Sequence, residues 1–161
     1  MPYPLQRLLQ VRVFRERKAA GEVLAARRRL EEANARLHAA RAALEEYLVW
    51  REAEEERLFR QICRKEIASR RLDKHLTEVS LLRARESEFR MRIQEAEKDC
   101  REKGEALARA QAAHRLAVQE QRKIEEHRKI WTGEEAVRRS REEDRELEEF
   151  SVRRSGPGGE E

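Results

Sequence analysis

The sequence predicts an all-α protein, a long two-helix antiparallel coiled-coil hairpin with a short polar C-terminal helix, and three observations predict it. The three prolines stand at positions 2, 4 and 157, so no proline interrupts residues 5–156. Only Gly21, Gly104 and Gly133 occur before the closing residues, and Glu, Arg, Leu and Ala, all favourable in helices, fill most of the stretch. Apolar residues recur every seven positions in both halves of the chain, the pattern of a helix that buries one seam against another helix.

The first helix begins with Leu5, Leu9 and Val13, and Pro4 sits where a first turn tolerates its missing N–H. From Val23 the seam is regular. Val23, Leu30, Leu37 and Leu44 form one row, and Ala26, Ala33, Ala40 and Tyr47 follow each by three positions. The alanines imply a close approach of the helices. Carried on, this register meets Arg51, Leu58, Lys65 and Leu72, so the seam weakens between 48 and 70. A turn is therefore expected near 64–72, in RKEIASRRL, with Ser69 or Asp73 as N-cap.

The second helix has its own rows. Leu72, Val79, Ile93, Cys100 and Leu107 share one, with Glu86 as the exception. Leu82, Phe89, Ala96, Ala110, Ala117, Ile124 and Trp131 share the other, broken by Lys103. With the turn near 68, Leu5 faces Trp131, and Leu44 faces Arg92 and Ile93. The two seams match in length, about 90 Å each at the helical rise. Thr132-Gly133-Glu134-Glu135 reads as a break near 132–133 followed by a new N-terminus, with Thr132 as N-cap and Glu135 at the capping-box position. Residues 134–150 then form the short polar helix, which faces no part of the first. One helical unit over 1–150 and a disordered tail over 151–161 complete the organisation.

Charged residues make up 43% of the chain, against about 25% in an ordinary globular domain. Disorder would explain that charge but not the heptads. The net charge is +4, yet the signs alternate: Glu31 and Glu32 stand between Arg27-Arg28-Arg29 and Arg36. No strong one-signed potential results, so no nucleic-acid partner is expected. Pairs such as Glu97/Arg101, Glu105/Arg109 and Glu125/Lys129 stabilise a helix surface without further purpose. Arg7, Arg12 and Arg15 interrupt the N-terminus before a signal-peptide core, and no apolar run approaches the roughly 20 residues of a membrane span. A cytoplasmic protein without membrane insertion is expected.

No phosphate-binding glycine loop, HExxH or CxxC motif is present, and His38, His75, His114 and His127 are too scattered to bind a metal. Cys63 and Cys100 are placed about 40 Å apart by the hairpin and are read as thiols. Two helices offer no closed pocket to shift a carboxylate pKa. The expectation is a protein with no cofactor and no catalytic residue, whose work is binding. Val49, Trp50, Leu81 and Met91 fall outside the heptad rows yet share one level of the hairpin, with Phe59 beside them. Either they form an exposed protein contact, or the seam is locally irregular and takes them inside.

The opening MPYPLQRLLQVR, the antiparallel heptads and the closing EEHRKIWTGEEAVRRSREEDRELEEF resemble the YscO/CdsO family of type III secretion proteins, relatives of flagellar FliJ. The resemblance spans about residues 1–150. It implies a hairpin like the central stalk of rotary ATPases, seated in the hexameric export ATPase, stimulating hydrolysis and touching the export gate protein. It also implies escort of secretion chaperones and a cytoplasmic place beside the secretion apparatus at the inner membrane. Carried onto this sequence, Leu5, Leu8, Leu9, Arg12, Trp131, Leu147 and Phe150 would bind the ATPase. Tyr47, Trp50, Phe59, His75 and Leu81 would face the gate. A flagellar FliJ-type export protein and a generic coiled-coil scaffold or homodimer are the alternatives.

Overall fold

The computed structural model describes residues 1–63 and 69–156. Two helices account for nearly all of them: α1, Gln6–Cys63, and α2, Ser69–Arg154. Pro4 and Leu5 form the entering turn, in which the Gln6 N–H donates to the Tyr3 carbonyl at 3.2 Å. At the far end of α2 the Ser155 N–H bonds back to Ser151 and Val152, and Gly156 follows. The chain divides into two compact units, one of Met1–Gly21 with Ala112–Glu161, the other Glu22–Gln111.

In the Glu22–Gln111 unit the helices pack antiparallel. As α1 advances, its partners on α2 retreat: Arg36 pairs with Asp99, Arg41 with Glu97, Arg51 with Glu86, and Glu55 with Arg83. Tyr47 stacks on Phe89, with ring centroids 4.7 Å apart. That register agrees with the one counted from the sequence. The predicted alanine row is where the helices close, since Val23, Ala26, Ala33 and Tyr47 are buried and Ala33 is only 1% exposed. A methyl group suffices to fill so narrow a gap, and a larger side chain would overpack it.

In the other unit the same antiparallel order holds. Tyr3 lies against Trp131, Arg12 pairs with Glu120, and Glu16 meets His114. Here the partners come a few residues earlier than counting predicts, so Trp131 takes Tyr3 rather than Leu5. Tyr3, Leu9 and Ala19 are buried. No residue of α2 is buried in either unit.

Three expectations are corrected. The break near 132–133 is absent, and 134–150 continues α2 as helix. Thr132 does not cap; its hydroxyl donates back to the Arg128 carbonyl at 2.8 Å, as a hydroxyl inside a helix does. Glu135 pairs forward with Arg138 at 3.1 Å. One glycine costs about 1 kcal/mol in a helix, too little to stop propagation through well-paired flanks. Residues 69–72 are helical, so Asp73 lies inside α2 rather than capping it; the rest of the expected turn, 64–68, is outside the described residues. Of the expected tail, 151–154 is helical, and 157–161 is outside the described residues.

Candidate interaction surfaces

Among the described residues no cluster of His, Cys, Asp and Glu could hold a metal ion, and Cys63 and Cys100 are both free. The surfaces that remain are apolar side chains left without partners, and each unit carries one.

The first is built where the N-terminal segment meets α2. The Tyr3 ring wedges between His127 and Trp131, with centroids 5.8 Å and 5.5 Å away. Its hydroxyl sits 2.7 Å from His127 Nδ1. Leu9 is buried and Leu5 is half-buried, while Leu8 reaches the surface. Arg12 is held by Glu120. Of the candidate ATPase-binding residues, then, Leu5, Leu9, Arg12 and Trp131 belong to the same compact unit, with Trp131 packed on Tyr3 and Arg12 on Glu120. Leu147 and Phe150 are in that unit too. They lie along a part of α2 that α1 does not face, in which every residue from Ala136 to Gly156 is exposed. Phe150 is 75% exposed, unusual for an aromatic ring. Tyr3 was not among the candidates, and its place beside Pro4 at the edge of the heptads gives no periodic signal that would select it.

The second surface lies in the Glu22–Gln111 unit. Tyr47 is buried, its ring between Phe89 and Trp50 and its hydroxyl donating to the Leu82 carbonyl. It is therefore a seam residue that props Trp50, which is 47% exposed. Arg92 covers the Phe89 ring at 5.5 Å. Val49, Leu81 and Met91 are exposed, so the seam does not take them inside. Leu81 enters an open groove between the helices together with Leu58 and Leu82. Phe59 is exposed but lies about 100° around α1 from Leu58, outside that groove. His75 is half-buried on α2.

An ionic network sits between these features. Arg51 and Glu86, two of the charges that interrupt the heptad rows, meet each other. Glu86 also takes Arg90 at 2.6 Å, and Arg51 lies 3.7 Å from Glu55. The Glu86 carboxyl is held below the usual carboxylate range, first by its Arg90 hydrogen bonds and then by Arg51. Glu54 is lowered in the same direction by its hydrogen bonds from Arg57.

With this arrangement described, comparison with known proteins identifies it. The Type III secretion protein YscO family matches residues 5–153. The chain belongs to the YscO family. Its fold is also that of solved relatives. The crystal structure of type III secretion protein YscO from Vibrio parahaemolyticus superposes with a TM-score of 0.82 at 27% identity, covering 91% of this chain and 92% of that one. A putative YscO homolog, CT670 from Chlamydia trachomatis, shares the fold with a TM-score of 0.78 at 20% identity, over 94% and 93% of the two chains. A comparison with curated proteins gives no match. The YscO match begins at Leu5, so it takes in most of the opening motif but not Tyr3, and it includes Trp131 and the exposed stretch of α2 as far as Arg153.

Proposed function

We propose that this YscO-family chain is a non-enzymatic central-stalk subunit of a type III secretion system. One end binds the hexameric export ATPase and raises its turnover, the other meets the export gate protein, and the chain also escorts secretion chaperones. The observation that carries this reading is the bare end of α2, where Leu147 and Phe150 stand exposed on a helix anchored at Trp131. A helix that packs on nothing in its own chain and displays an aromatic ring is suited to insertion into another protein. A stalk needs no active site. It changes turnover by binding some conformations of the ATPase subunits better than others. Among the described residues no helix is long and apolar enough to cross a membrane, which is compatible with a place at the cytoplasmic face of the apparatus.

The test is ATP turnover by the cognate export ATPase with and without the chain. Stimulation is expected, and Phe150→Ala should raise the concentration for half-maximal stimulation by about tenfold or more if the ring is an anchor. Phe150 is 75% exposed, so its loss reports binding far more than folding. Trp131→Ala should impair stimulation too, but it also removes the partner of Tyr3. Absence of both stimulation and co-purification would sink the proposal.

A further inference from the structure

The groove beside Leu81 carries a pattern that is complementary to itself. On the α1 side it is lined by Leu58 and by Glu54 and Arg57, which neutralise each other through hydrogen bonds. The α2 side contributes Leu81 and Leu82 with Glu78, Arg85 and Glu88. Leu81 is 63% exposed. Glu78, Arg85, Glu88 and nearby Lys74 form no ion pair among the described residues, although neighbouring Arg83, Glu86 and Arg90 all do. Heptad spacing arranges these side chains in rows. Glu78 and Arg85 lie on the central row, Lys74, Leu81 and Glu88 on one flank, and Leu82 on the other.

We infer that this face pairs with the same face of a second copy of the chain, antiparallel, about a two-fold axis between Leu81 and Leu82. Under that operation Leu81 meets Leu81 of the second copy, and Leu82 meets its Leu82. Glu78 faces the second copy's Arg85, and Lys74 faces its Glu88. The axis repeats both contacts, giving four ion pairs around an apolar centre. This is an isologous interface, in which each charge finds its opposite because the sequence is complementary to its own reversal. Parallel pairing in register would set Glu78 against Glu78 and Arg85 against Arg85. The charge pattern therefore selects both the partner and its direction, although Glu78 also feels Arg57 of its own chain across the groove. The inference goes beyond the stalk reading. It also limits it, because a second copy covers Leu81 and so excludes a gate partner at that residue.

Sedimentation of the full chain from low to high micromolar concentration tests the pairing without any other protein. The average mass should climb from monomer towards dimer. Arg85→Glu should weaken association by about tenfold, because both copies of one pair become repulsive. Glu78→Arg combined with Arg85→Glu should restore it, a rescue that only reciprocal contact explains. In a Cys63→Ser, Cys100→Ser chain, Leu81→Cys should oxidise to a covalent dimer faster than Val49→Cys. A chain that stays monomeric throughout overturns the inference. So does a dimer that ignores Arg85→Glu, or one that the double substitution fails to restore.

Discussion

At the scale of the residue, the informative positions are those where the heptads fail. Arg51 and Glu86 each break an apolar row, and each reads in isolation as an interruption. Together they satisfy one another across the helices. Periodicity alone does not reveal this, because it scores each residue against its own helix; only the counted register, which sets residue 51 opposite about 85, brings the two charges together. Tyr3 was missed for a related reason: a single ring ahead of the first heptad has no period. By contrast Ala33 and Tyr47 were legible, since regular spacing and a small or apolar side chain give the same answer. Glu86, held first by Arg90 and then by Arg51, also sets an acid response. A lowered carboxyl pKa means that Glu86 contributes stability above the unfolded carboxylate range, and that this contribution disappears as pH falls through the folded-state value. Glu54 acts in the same direction. Ellipticity recorded against urea at a series of pH values should therefore show stability falling through the acid range. Glu86→Gln should be less stable than the parent at neutral pH and converge with it in acid. Parallel curves for the two proteins would rule out this role.

At the scale of the element, the sequence placed α1 and the body of α2 correctly because helix propensity and heptad spacing agree there. It misplaced the end of α2 because Thr132 and Gly133 are local break signals, and local signals are outweighed when flanking helix is strongly favoured. The residue types that suggested a capping box serve instead inside a helix, Thr132 bonding back to Arg128 and Glu135 pairing with Arg138. The bare stretch is thus helix sustained by its own side-chain pairs, with Gly133 as its weakest link. A methyl group at position 133 meets no atom within 4 Å. Gly133→Ala should therefore stabilise the stretch by about 0.8–1 kcal/mol, slowing amide exchange around it about four- to fivefold. Unchanged exchange would show that this region opens by a route in which residue 133 is already unfolded.

At the scale of the molecule, less surface is removed from water within the chain than in a compact protein of the same mass. The accessible area is 13702 Å², against about 8,400 Å² for a compact monomer of this mass. α2 buries no residue, and the ion pairs that link it to α1 are each of modest value on an exposed surface. A partner that binds such a fold would add to its stability by mass action. Fold and family were both legible while the partners are not: heptads specify how the chain meets itself, whereas exposed Phe150, Trp50 and Leu81 specify only that something else can be met. The coupling can be measured. A partner that binds only the folded chain, present at about 100 times its dissociation constant, adds about 2.7 kcal/mol, so amides that exchange through global unfolding should slow about a hundredfold. With the export ATPase as partner, protection is expected first across 132–154, where Leu147 and Phe150 lie. It should extend to the Glu22–Gln111 unit only for amides that exchange by global opening. Protection confined to 132–154 would mean that the ATPase holds the bare helix without stabilising the rest. Protection that spared 132–154 while reaching the Trp50 and Leu81 surface would move the ATPase contact to the other unit and overturn the assignment of ends.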